Sequence, residues 1–91
     1  MKYQIRRTSQ FKKDYKRAIK RGFTINKLDE AIELLAKDGL LPSEYNDHPL
    51  IGDKYGLREC HIEPDWLLVY RIDHGILVLV LTSTGTHSDL F

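Results

Sequence analysis

Residues 57–91 read LRECHIEPDWLLVYRIDHGILVLVLTSTGTHSDLF, and their pattern decides the fold. In LRECHI, Leu57, Glu59 and His61 alternate with Arg58, Cys60 and Ile62. That two-residue period belongs to a strand with two distinct faces. The next two stretches, WLLVYRI and ILVLVLTS, are rich in branched and aromatic residues and apolar on both faces, as central strands are. EPD turns the first pair. DHG is a tight hairpin between the second pair, with Gly75 predicted to supply a positive φ. The result is a three-stranded antiparallel meander.

Working back from it, residues 40–56, LLPSEYNDHPLIGDKYG, read as a loop because prolines, glycines and Asn/Asp/Ser crowd together. Loops this long in small domains often carry function. Before the loop come two helices. Thr8 or Ser9 caps the first, Phe11, Tyr15, Ala18 and Ile19 form its apolar stripe, and Gly22 suits its left-handed end. Thr24 caps the second, Leu28, Ala31, Ile32 and Leu35 form its stripe, and Gly39 closes it. The short link makes them antiparallel neighbours. KYQIR alternates Tyr3 and Ile5 with polar residues, a short strand with one buried face. The predicted order is βααβββ, an α+β domain over residues 1–91, with two helices on one sheet face and the other face partly open.

The chain has 91 residues, 42% hydrophobic and 30% charged, enough for one modest core and ordinary for a globular domain. Its longest apolar run, Ile76 to Leu81, falls far short of the roughly 20 residues that cross a bilayer. MKYQIRR has no apolar targeting core, and the single cysteine, Cys60, excludes an internal disulfide framework. A cytoplasmic setting without membrane contact is expected. The net charge of +1 hides an asymmetry. Residues 1–21 carry nine Lys/Arg and one acid, whereas residues 22–91 carry five Lys/Arg and twelve acids. Such a basic stripe is the footprint of a nucleic-acid binder, or simply a solvated helix face.

Four histidines remain to be placed. His74 sits in the hairpin turn and reads as a solvated turn residue. His48 lies in the long loop, His61 near a strand end, and His87 just after the last strand. Asp65 follows His61 across the turn. A meander that gathers its strand ends could bring these four together as a general acid–base set, since imidazole titrates near neutrality. Taken singly, each histidine is equally a satisfied surface residue. Three histidines and a carboxylate also match zinc chemistry in type, but no HExxH or CxxC spacing is present, so no metal or cofactor is expected. Trp66 reads as core packing. Phe91 either docks on the sheet or offers a stacking face for an unpaired base.

The segments SQFKKDYKRA, NDHPLIG, LRECHIEPDWLLVY and TGTHSDLF together resemble the YafQ branch of the RelE superfamily of bacterial toxins. The resemblance spans essentially the whole chain. It implies a small curved, mostly antiparallel sheet with two helices on one side. It further implies a metal-independent, ribosome-dependent endoribonuclease that cuts mRNA in the A site and is paired with a cognate antitoxin. Operator DNA would be met only through the antitoxin complex. Carried over by position, the active-site residues implied are His48, His61, Asp65 and His87, with Phe91 stacking on an mRNA base. Glu59 stands where the best-known member type has Asp. Many members carry an Arg just before the GTH segment, where this chain has Thr82, Ser83 and Thr84; Arg58, Arg71 or a histidine would have to replace it. The basic helix residues Lys12, Lys13, Lys16, Arg17 and Lys20 would grip ribosomal RNA phosphates. The alternative is a non-catalytic module that binds nucleic acid or antitoxin, an inactive homologue acting as corepressor.

Overall fold

The N-terminal strand β1 (Gln4–Arg7) does not pair with its neighbour in sequence but lies parallel to β5 (Val78–Gly85). The computed structural model describes residues Met1–Phe91. Between these strands run α1 (Ser9–Lys20), α2 (Ile25–Asp38), β2 (His48–Pro49), β3 (Arg58–Glu63) and β4 (Trp66–Asp73), and α3 (His87–Leu90) follows β5. The sheet order is β1-β5-β4-β3-β2, antiparallel everywhere except β1–β5. The predicted βααβββ order therefore holds, with a two-residue edge strand and a terminal helical turn added. The long loop also contains two short 3-10 turns, Ser43–Tyr45 and Gly52–Lys54. No helix is long and apolar enough to cross a membrane.

Thr8 caps α1 as expected, its hydroxyl accepting the Phe11 N–H at 3.0 Å. Its apolar stripe differs from expectation at one position. Ile19 is 53% exposed, while Asp14 is buried. The Asp14 carboxylate accepts the buried Thr84 N–H at 3.1 Å and the Gln10 side-chain N–H at 2.8 Å, so it ties α1 to β5. Periodicity counts an aspartate as outward-facing and cannot detect this long-range bond. Helix α2 buries Leu28, Ala31, Ile32, Leu35 and Ala36 and ends on left-handed Gly39, φ 73°. Thr24 stands at its N-cap position without a side-chain cap bond.

Strand parity divides the sheet. Cys60, Trp66, Leu68, Tyr70, Leu79 and Leu81 face the helices and form the core with Phe11, Leu28 and Leu35. Glu59, His61, Leu67, Val69, Arg71, Val78 and Val80 take the alternate positions and face the other way. The meander's second turn differs from the prediction. It spans His74–Leu77, and Leu77, not Gly75, takes the positive φ of 56°. The Asp73 carboxylate organises it by accepting the Gly75 and Ile76 N–H groups at 2.9 and 3.1 Å. An Asx turn therefore does the work expected of glycine. His74 is exposed in this turn, yet its Nδ1 meets the Tyr3 hydroxyl at 3.1 Å.

Candidate active site

Three imidazoles lie in a row on the face away from the helices. The His48 and His61 ring centroids are 6.2 Å apart, and those of His61 and His87 are 6.0 Å apart. Each ring arrives from a different element. Strand pairing sets His48 of β2 opposite Glu59 of β3, and His61 opposite Leu67 of β4. A register shift between His61 and Glu63 then curls the end of β3 into the Pro64–Asp65 turn. His87 begins α3, directly after β5.

Each ring has Nδ1 engaged. In His87 it contacts the Asp65 carboxylate at 2.6 Å, and the same carboxylate oxygen accepts the His87 backbone N–H at 3.0 Å. These two bonds, the backbone one first, hold Asp65 below its ordinary carboxylate pKa. Since a carboxylate only accepts, Nδ1 carries the proton and Nε2 is presented outward. The His87 and Asp65 side chains are 55% and 67% exposed, so the pair orients the ring rather than stabilising the fold. His61 Nδ1 faces the Pro64 carbonyl at 3.4 Å, which again leaves Nε2 outward. His48 Nδ1 faces the Asn46 carbonyl at 2.8 Å, and its Nε2 lies 3.3 Å from the buried Glu59 carboxylate. Both His48 nitrogens therefore face acceptors.

Two further sets of contacts support this geometry. Asp47, next to His48, accepts the Tyr70 hydroxyl at 2.7 Å and the Arg58 Nε–H at 3.3 Å. This anchors the loop to the sheet and, with burial as the larger cause, raises the Tyr70 pKa. Sequence reasoning missed Asp47 because both partners are far along the chain. The second support holds the tail. Thr86 and Asp89 form a reciprocal capping box around α3, and Arg21 donates to Asp89 at 2.6 Å. Arg21 and then the Thr86 backbone N–H hold the Asp89 pKa far below the usual carboxylate range. Gly85 belongs to the same clasp, since a Cβ there would lie 2.8 Å from the Asp89 Cβ. The T-x-x-D spacing of residues 86–89 was the available signal for α3.

Other candidate residues fall at varied distances from this row. Phe91 is 61% exposed, with the Lys54 ammonium 5.4 Å from its ring centroid. Lys12, Lys13, Lys16 and Lys20 are exposed on α1. Arg17 is not free like these lysines, for it pairs with Asp14 at 3.3 Å and Asp89 at 3.7 Å. Arg58 departs from the placement the phosphate role requires. It shares the helix-side face with its partner Tyr70, and its guanidinium is committed to Asp47. Arg71 points with Val69 and Leu67, on the histidine face. Trp66 is core, 1% exposed, with its indole N–H donated to Thr84 at 3.0 Å. Burial pushes the Cys60 thiol up to about 12, which makes it a poor nucleophile. No group of three His, Cys, Asp or Glu side chains is arranged to hold a metal ion.

The mRNA interferase toxin YafQ of Escherichia coli K12 is 43% identical over 88 residues, covering 96% of this chain and 94% of that protein. The crystal structure of the E. coli DinJ–YafQ complex contains a chain 42% identical with a TM-score of 0.89, covering 98% of each chain. A metal-bound toxin from Helicobacter pylori is 40% identical with a TM-score of 0.90, covering 98% of this chain and 99% of that one. Residues 3–91 match the family described as the bacterial toxin of type II toxin–antitoxin systems, YafQ, and the chain belongs to that family.

Proposed function

We propose that this protein is an endoribonuclease toxin that cuts mRNA on the ribosome and is held inactive by a cognate antitoxin. The observation that carries this reading is the row of three imidazoles, two of them with Nε2 turned outward and one of these fixed by Asp65. The reaction is attack of a ribose 2′-oxygen on the adjacent phosphorus with expulsion of the 5′-oxygen. It needs a base for the 2′-proton, an acid for the leaving oxygen, and positive charge beside the phosphate. His87 is the general acid. Its Nε2 delivers the proton, and Asp65 lies opposite the charge of the doubly protonated ring. His61, with a free Nε2, takes the 2′-proton. His48, flanked by Glu59 and the Asn46 carbonyl, faces the phosphate as imidazolium. Phe91 stacks on an mRNA base, and Lys12, Lys13, Lys16 and Lys20 meet ribosomal RNA phosphates.

Controlled expression in bacteria tests the whole reading. Growth arrest is expected, with relief by a co-expressed antitoxin and new mRNA ends on translated transcripts only. Normal growth at confirmed protein levels would refute a toxin. Equal cleavage of untranslated transcripts would refute ribosome dependence.

A further inference from the structure

We propose that Arg71, with Arg6 beside it, forms a cationic row on the histidine face that grips the RNA backbone next to the cleaved bond. This rests on the nuclease reading above and names cations that would hold the RNA backbone beside the reacting phosphate.

The placement follows from register. Val69 pairs with Glu59 on one side and Ser83 on the other, and Arg71 is the next residue of β4 on that face. Arg71 is therefore diagonal to Glu59, whereas on the β5 side a register shift after Val69 interrupts the regular step from Ser83. Diagonal neighbours lie about 7–8 Å apart, within reach of a long side chain. Arg71 also pairs with Val80, which pairs with Arg6. Arg71, Val80 and Arg6 thus form one row across three strands, one step of about 7 Å from the row of Glu59 and His48. In this row Val80, 8% exposed, lies between two exposed arginines.

Charge singles out the same two residues. Of the six arginines, Arg17, Arg21 and Arg58 each have a carboxylate within 4.0 Å, and Arg6, Arg7 and Arg71 have none. Arg7 pairs with Leu81 and so lies on the helix side. Arg6 and Arg71 are the unpaired guanidinium groups on the histidine face. That face already holds Glu59 and Asp65, both repelling a phosphodiester. A polyanion can settle there only against compensating cations, and the guanidinium fork suits phosphate oxygens in pairs. RNA with a base on Phe91 and its cleaved bond over the imidazoles would continue onto this row.

The test uses Arg71→Gln, Arg71→Lys and the double variant Arg6→Gln/Arg71→Gln in the full chain. One readout is single-turnover cleavage of mRNA on programmed ribosomes. The second is NMR titration with a short 2′-O-methyl RNA, which cannot be cleaved. Arg71→Gln is expected to weaken oligomer binding about 10- to 100-fold, the range for a charged hydrogen bond. The slope of log affinity against log salt should fall by about 0.7 for each arginine removed. Arg71→Lys should restore the slope without restoring full affinity, a distinction that a purely structural role would not produce. Thermal unfolding should be unchanged. Wild-type affinity and salt slope in the double variant would overturn the proposal. So would variants that lose affinity for mRNA-free ribosomes while cutting normally once bound, because the arginines would then read ribosomal RNA. An active row in a wild-type protein that binds the oligomer but never cleaves would instead refute the nuclease reading alone.

Discussion

The two faces of the sheet are built from the same strands and behave as different materials. On the helix side, each buried polar group has a partner. Thr84 receives the Trp66 indole N–H and gives its own hydroxyl proton to the Leu67 carbonyl at 2.6 Å, and its backbone N–H goes to Asp14. No buried side-chain nitrogen or oxygen is left without a partner. On the other side, His61 and His87 are tied at one nitrogen only, Phe91 is exposed, and Arg6 and Arg71 have no carboxylate partner. Satisfaction on one face supplies rigidity, and the unspent hydrogen-bonding and charge on the other supplies chemistry. Changes on the two faces should therefore separate stability from activity.

The largest expected effect is on the open face. His87→Gln keeps a hydrogen-bonding side chain but removes the titrating proton. Single-turnover cleavage on the ribosome should fall about 10²- to 10⁴-fold, the usual loss of a general acid, with thermal unfolding unchanged. A drop in stability comparable to a core mutation would show that His87 is part of the clasp and would break the division between faces.

A middle-sized effect of the opposite kind is expected at Asp14→Ala. It strips the buried Thr84 N–H of its acceptor, at a cost of about 1–3 kcal/mol. Urea unfolding should show a lower midpoint with the same slope, while cleavage per folded molecule stays near wild type. Loss of activity without loss of stability would mean that α1 communicates with the histidines through β5.

The smallest effect tests the seam between the faces, where Asp89 ties the tail to α1. The folded Asp89 pKa is depressed relative to an unfolded carboxylate near about 3.9. Its contribution is complete above that value and is lost as pH falls through the folded pKa. Asp89→Asn should therefore lower the melting temperature slightly at neutral pH and flatten its decline on the acid side below about pH 4. Parallel acid limbs in wild type and variant would remove Asp89 from the acid sensitivity.

The sequence by itself determined whatever depends on local periodicity and capping. The Thr8 cap, the buried stripe of α2, its glycine stop and the alternation through β3 were legible because neighbours within a few residues set them. It also indicated the histidines and Asp65 as a set, through the likeness of whole segments to a toxin family. Tertiary structure alone decided the pairing partners. Only the parallel insertion of β1 beside β5 brings Arg6 into line with Val80 and Arg71. Only pairing with β3 makes His48–Pro49 a strand and sets His48 against Glu59. The same register turns Arg58 from the histidine face and Arg71 toward it, although both are arginines in alternating strands. A two-residue period fixes which residues share a face within one strand. It does not fix which face meets the helices, because that depends on contacts between segments far apart in the chain.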